Sequence, residues 1–120
     1  MPDRIAICRL LASASIPEWA VAGSGFCSVT RTPDELSIVC AENAVPPGVK
    51  HDPGWRIFRV EGPFDFSVVG VLASVAAPLA EAAVPIFAVS TFDTDHVLVK
   101  ESDVERAAVA LEGAGHQVTS

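Results

Sequence analysis

Two carboxylates stand at a conspicuous point in this chain. In "AVSTFDTDHVLVK", two apolar runs are split by a polar stretch holding Asp93 and Asp95, with Ser90, Thr91 and Thr94 beside them. Carboxylates in such a setting suit an ammonium or guanidinium group, and the hydroxyls add hydrogen bonds. Earlier in the chain, "EGPFDFS" precedes a helix-forming stretch, with Asp65 or Ser67 placed to cap its start. A helix start near Asp65 to Val68 offers free backbone N–H groups and a positive dipole end, which suit a carboxylate. One small zwitterion, an α-amino acid, satisfies both segments at once. The same residues also have a plainer reading. Asp and Thr are common in hairpin turns, where they bond their own backbone, and Asp65 can be a helix cap and nothing more.

Other constellations are weaker. His51, His96 and His116 are scattered. His96 follows Asp95, so a metal site is imaginable, but a solvated or turn histidine accounts for it. No Ser-His-Asp arrangement follows from these spacings, and no Gly-rich phosphate loop is present. Glu61 and Asp65 form a possible acid–base pair, yet Glu61 at a strand end reads as a solvated or ligand-contacting charge. The sequence therefore points to no enzyme, no catalytic residue, no cofactor and no metal.

The totals narrow the field further. The 120 residues suit one compact domain, or two very small ones sharing a core. Half of them are apolar, and the formal charge is –7 with a pI near 4.7. An acidic surface opposes nucleic acid and anionic membranes. No apolar run approaches the ~20 residues of a membrane span, and the N-terminus lacks a convincing signal peptide. Cys8, Cys27 and Cys40 form no close pair in sequence and read as buried small hydrophobes in a reducing, cytoplasmic setting.

The elements that must position these residues follow from local chemistry. "RIAICRLL" reads as a strand and "IPEWA" as one helical turn with Pro17 at its first position. "FCSVTR" and "LSIVCA" read as a hairpin around "TPDE", where Pro33 and Asp34 supply the turn. "ENAVPPGVKHDPG", residues 42–54, has three prolines and two glycines and reads as a loop, the boundary between an N-terminal unit 1–53 and a C-terminal domain 54–120. "WRIFRVEG" alternates as a strand, with Arg56 and Arg59 tilted toward one face and Gly62-Pro63 ending it. "FSVVGVLASVAAPLAEAA" reads as a helix with an apolar stripe of Val68, Val69, Leu72, Val75, Ala76 and Leu79. Gly70, Ala73, Ser74 and Ala77 make a small-residue face, and Pro78 removes a backbone bond and should kink the helix near Ser74. "PIFAVST" and "DHVLVK" are strands. "SDVERAAVALEGAG" is a helix with a Ser102–Glu105 capping box, ended by Gly113 or Gly115, and "HQVT" is a last short strand.

From Trp55 onward the order is β-α-β-β-α-β, an α+β ferredoxin-like fold. The first half repeats it in reduced form. Counting directions puts "EGPFDFS" and "STFDTD" at the same end of the sheet. An acylphosphatase shares this topology but needs an arginine in the first strand-to-helix loop, and "GPFDFS" has none. An RNA-binding module needs basic and aromatic sheet residues, and the chain has no Tyr.

Taken in order, the "VTRTPDELSIVC" hairpin, the "EGP-D-S" loop, the "GVLAS-A-PLAEA" helix and the "ST-DTD-LVK" turn resemble the ACT domains of the CASTOR-like group. That group comprises small tandem ACT proteins similar to the animal cytosolic arginine sensors and to aspartate kinase regulatory domains. The matching stretches cover most of residues 26–116. The resemblance implies tandem ACT-type domains, the first reduced, and non-catalytic amino-acid binding at a domain or subunit interface. It implies a ligand site at Gly62, Pro63, Phe64, Asp65 and Ser67, with Ser90, Thr91, Phe92 and Asp95. Related sequences often carry Tyr at position 92 and Gly near 83 or 84, where this chain has Phe92 and "AAVP". A homodimer is expected, since the small-residue helix face and exposed sheet edges invite pairing. The competing reading is a ligand-free dimerisation or scaffold module.

Overall fold

The computed structural model describes residues 4–23, 25–60, 71–92 and 94–116. It divides into two compact units, Asp3–Trp55 and the chain from Arg56 onward. The strands are hydrogen-bonded in the order Ser28–Arg31, Leu36–Ala41, Ile5–Leu10, His51–Val60, Asp95–Lys100 and Phe87–Ser90, and the described elements form an α+β fold with antiparallel pairing, a reduced β-α-β-β first unit followed by β-α-β-β-α. No helix among the described residues is long and apolar enough to cross a membrane.

The N-terminal unit is built on strand β1 (Ile5–Leu10), a single helical turn α1 (Glu18–Val21) and the hairpin β2 (Ser28–Arg31) and β3 (Leu36–Ala41). Pro17 is the N-cap of α1, one place earlier than its expected position, and its carbonyl accepts the Ala20 N–H at 3.1 Å. The hairpin turn closes through Thr32. Its hydroxyl accepts the N–H groups of Asp34 and Glu35, both at 3.1 Å, while its own N–H donates to Glu35 O at 2.9 Å. With the turn so fixed, the register is Val29 opposite Ile38 and Arg31 opposite Leu36. Arg31 reaches back over the β1–α1 connection, donating to the carbonyls of Ala12 and Ala14. Side chains of one strand face alternate with those of the other. Ala6, Cys8, Leu36, Ile38 and Cys40 therefore share a core with Ala20 of α1.

The proline-rich segment behaves differently from its composition. A short 3-10 turn occupies Glu42–Ala44, and strand β4 already begins at His51 and runs to Val60. So the expected loop over 42–54 ends before His51. The reason is a β-bulge. The β1–β4 register is Cys8 to His51 and Ile7 to Asp52, then shifts so that Ile5 faces Trp55. Pro53 and Gly54 together stand where β1 has only Ala6, a surplus of one residue. Pro has no N–H to lose from the ladder, and Gly54 takes φ +82°, a conformation open to glycine. Its N–H donates to Glu42 Oε1 at 2.8 Å, and the same carboxylate pairs with Arg4 Nε at 3.3 Å.

The C-terminal unit carries the rest of β4, helix α2 (Val71–Glu81), the hairpin β5 (Phe87–Ser90) and β6 (Asp95–Lys100), and helix α3 (Val104–Gly113). Phe58, Val75, Leu79, Val84, Val97, Val99, Ala107 and Leu111 form its core. Leu98, on the other face of β6, is also fully buried. The expected stripe of α2 thus holds at Val75 and Leu79. Residues 61–70, which include Asp65, Ser67, Val68, Val69 and Gly70, lie outside the described residues, as does "QVTS".

Helix α2 passes through Pro78 without ending. Pro78 has no N–H to give the Ser74 carbonyl four residues back. That carbonyl instead lies 2.8 Å from Nε2 of His116, in the segment after α3. Donation to a carbonyl fixes the proton on Nε2.

Both helices of this unit end alike. In α3, His116 N–H reaches Leu111 O at 3.0 Å and Gly115 N–H reaches Glu112 O at 3.0 Å, with Gly115 at φ +92°. This is the Schellman pattern, with glycine in the left-handed position. In α2, Val84 N–H reaches Leu79 O at 2.9 Å and Ala83 N–H reaches Ala80 O at 3.0 Å, with Ala83 at φ +58°. Val84 and Leu79 are both buried, completing the motif's apolar contact. Arg106 Nη2 leans on the Ala83 carbonyl at 3.5 Å. The start of α3 departs from expectation. A 3-10 turn over Glu101–Asp103 feeds the helix, and Asp103 is its N-cap, with no side-chain capping bond. Its Oδ1 is taken by Arg106 Nη2 at 2.8 Å, so an i,i+3 ion pair stands where a Ser102–Glu105 box was expected.

A residue with a Cβ is disfavoured in the left-handed region by about 1–2 kcal/mol, and glycine gives back part of that through its freer unfolded state. Ala83→Gly is therefore expected to stabilise the protein by about 1 kcal/mol, read as a higher urea midpoint with an unchanged m-value. A loss of stability would show that Ala83 is not held in this conformation.

Candidate functional site

The β5–β6 hairpin carries the described half of the candidate site. Its register runs Phe87 to Leu98, Ala88 to Val97, Val89 to His96 and Ser90 to Asp95. The alternation buries Val97 and Val99 against the helices and sends Ser90 to the exposed rim. Thr91 closes the turn twice, its N–H reaching Thr94 O at 2.9 Å and its hydroxyl donating to the same oxygen at 3.0 Å. Here the plain turn chemistry expected of a threonine is present. Phe92 stands at the tip with 79 % of its surface exposed. Asp95 is half-buried at the first position of β6.

Ser90, Thr91, Phe92 and Asp95 are therefore brought together on one turn. Gly62, Pro63, Phe64, Asp65 and Ser67, with Asp93, fall outside the described residues.

The sequence assigned neither His96 nor Arg59 to the ligand site. His96 is half-buried within β6 rather than solvated or in the turn. Burial, and then the charge of Arg59, push its imidazole below the ordinary value of 6.5. A backbone hydrogen bond at Val89 and the Asp95 carboxylate pull the other way without prevailing. Arg59 and Arg56 do not share a face, because residues three apart in a strand point to opposite sides. Arg56 Nη1 lies 3.6 Å from Glu101 Oε1. Only the strand pairing of β4 beside β6 brings Arg59 into the electrostatic field of His96. No local sequence signal carries that. Among the described residues, no three His, Cys, Asp or Glu side chains gather as a metal ion would require.

Strands β4, β6 and β5 with helices α2 and α3 make the arrangement of an ACT-type domain. Residues 50–113 match the ACT domain family, so the chain belongs to that family, and residues 3–48 match a family described as an N-terminal domain. A crystal structure of an Agrobacterium tumefaciens protein is 50 % identical, with a TM-score of 0.90 over 96 % of this chain and 85 % of that one. The ligand-free regulatory subunit of aspartate kinase from Thermus thermophilus shares the fold, with a TM-score of 0.64 at 16 % identity over 95 % of this chain and 94 % of its own. Subunit 1 of the human cytosolic arginine sensor for mTORC1 is 41 % identical over 59 residues, 48 % of this chain. The chain spans only 18 % of that sensor's length.

The depressed His96 pKa has a definite sign in stability. The folded state holds the imidazole neutral more strongly than the unfolded chain does. Above 6.5 neither state is protonated there and the contribution is constant. As pH falls below 6.5 the unfolded chain takes up the proton first, and stability drops. Unfolding free energy is expected to rise with pH through the window just below 6.5, with a shallower slope in His96→Asn. Identical slopes in wild type and variant would refute the assignment.

Proposed function

We propose that this chain is a non-catalytic amino-acid-binding regulatory protein. The N-terminal reduced unit spans residues 1–53 and the ACT domain 54–120. The ligand is held at a domain or subunit interface of a cytoplasmic homodimer. Its ammonium or guanidinium group meets Asp95, its polar groups meet Ser90 and Thr91, and Phe92 covers its apolar part. Its carboxylate goes to the segment of Gly62, Pro63, Phe64, Asp65 and Ser67, where a helix start near Asp65 would offer backbone N–H groups.

The observation that carries this reading is the character of the β5–β6 turn. A hairpin that satisfies its own backbone through Thr91 has no folding need for a large exposed aromatic ring. A half-buried carboxylate three residues further on gives that ring a charged companion. β4 and β5 flank β6 in an antiparallel sheet, so the chain leaves β4 after Val60 at the end that bears this turn. The family supports the same direction. An arginine sensor and aspartate kinase regulatory subunits stand among the relatives, and here their ligands enter as a class of candidate. Phe92 lacks the phenol that related sequences often carry, so arginine is one candidate among the amino acids. The scaffold reading draws on one observation, that the Thr91 hydroxyl is already used inside the turn.

A thermal-shift screen over the twenty amino acids separates the two. One of them, at a hundredfold excess over its Kd, is expected to stabilise the fold by about 2.7 kcal/mol. Asp95→Ala should abolish that shift while unfolding cooperatively on its own. No shift with any of the twenty, together with unchanged self-association in Asp95→Ala, would favour the scaffold.

A further inference from the structure

The three cysteines, far apart in sequence, fall on one face of the N-terminal sheet. In the β1–β3 register Ala6 faces Cys40 and Cys8 faces Ile38. In the β2–β3 register Ser28 faces Val39, so the next pair outward sets Cys27 opposite Cys40. Directly opposed residues project to the same side of a sheet. One cross-strand row is thus Ala6, Cys40 and Cys27, and the next is Cys8, Ile38 and Val29. An independent observation agrees. Cys27 and Cys40 both line a small cleft of about 30 Å³ beside Trp19 and Phe26. Their roles within it differ, since Cys27 is exposed and Cys40 is buried. The expectation that all three thiols are buried fails at Cys27, which precedes the outermost strand.

We propose that Cys27 and Cys40 form a reversible intramolecular disulfide by exchange with a small-molecule disulfide of the glutathione type, making this sheet edge a thiol-modification site. Directly opposed residues have Cβ atoms about 4.5–5.5 Å apart, and a disulfide needs about 3.5–4.5 Å. The difference is about 1 Å. Cys27 lies just before edge strand β2 and just after Gly25, whose surroundings are open, so this end of the chain moves without breaking a second ladder. Cys8 also reaches Cys40, sharing a side-chain hydrogen bond with it, but it is buried where a dissolved disulfide does not reach, so exchange starts at the exposed Cys27. Cys8 lies inside β1, which is paired on both sides. The turn at Thr32 keeps the register, and a slip of one residue would point Cys27 to the opposite face.

The exchange balances in two steps. The Cys27 thiolate attacks one sulfur of the small disulfide, forming a mixed disulfide and expelling one thiol. The Cys40 thiolate then attacks the Cys27 sulfur, forming the protein bridge and expelling the second thiol. Two protein thiols are oxidised, the small disulfide is reduced to two thiols, and the protons of Cys27 and Cys40 end on them. Burial raises both thiols above their ordinary value, Cys27 from its cleft and Cys40 from the core. Thiolate is therefore scarce near neutral pH, and the bridge forms slowly.

Trypsin places the three cysteines on separate peptides, 5–9, 10–31 and 32–50. The full-length protein is to be incubated with oxidised glutathione, alkylated and digested without reductant. The expected product joins 10–31 to 32–50 and leaves Cys8 alkylated. Excess reduced glutathione should return both thiols. Cys27→Ser, at an exposed position, should fold normally and leave Cys40 alkylated. The proposal is overturned by a glutathione adduct that persists on Cys27 with Cys40 free. It is equally overturned by a Cys8–Cys40 bridge, a Cys27–Cys27 link between chains, or a bridge that reduced glutathione does not open.

Discussion

Strand β4 must hold its course across the bulge at Pro53 and Gly54, and much of the architecture depends on its doing so. Its first residues complete the ladder of the N-terminal unit against β1. Its last residues deliver Phe58 to the C-terminal core. A proline-glycine pair in such a strand would ordinarily turn the chain away. It is kept in line because the bulge absorbs one residue, and because Glu42 collects both the Gly54 N–H and the Arg4 guanidinium. The bulge also resets the phase of the strand. Trp55 and Ile57 then lie on one side, with Arg56 and Phe58 on the other.

That constraint marks where the sequence was readable and where it was not. The β2–β3 hairpin was legible because its turn is local, with Thr32, Pro33 and Asp34 sitting within the hydrogen bonds that close it. The body of α3 and its glycine terminus were legible for the same reason. The start of β4 was not, because a bulge and a loop share the same composition and only the partner strand tells them apart. The α3 cap was misread because the Asp103 carboxylate has two possible employers, and Arg106, one turn on, prevails over the backbone. Cys27 and Cys40 could not be paired from spacing, since their proximity follows from register rather than from separation along the chain.

The candidate site divides along similar lines. Ser90, Thr91, Phe92 and Asp95 fall together because a turn between two apolar strands gathers its own residues. The influence of Arg59 on His96 was not legible, because the sheet brings the two together across strands. Their effect is on the charge available beside Asp95. With the imidazole held neutral by burial and by Arg59, the local cation is the guanidinium. The carboxylate of Asp95 then works in a setting that responds to the strand pairing behind it as well as to the turn in front.

The contact between His116 and Ser74 has a consequence for how the two helices of the ACT domain hold together. An ordinary helix offers its mid-length carbonyls to itself and leaves nothing for a neighbour to grip. The imino acid at position 78 releases one of them, and an imidazole from beyond α3 occupies the opening. The residue that looks like a flaw in α2 thereby supplies an anchoring point, and the helical layer gains a polar latch that no apolar packing of the same two surfaces would provide.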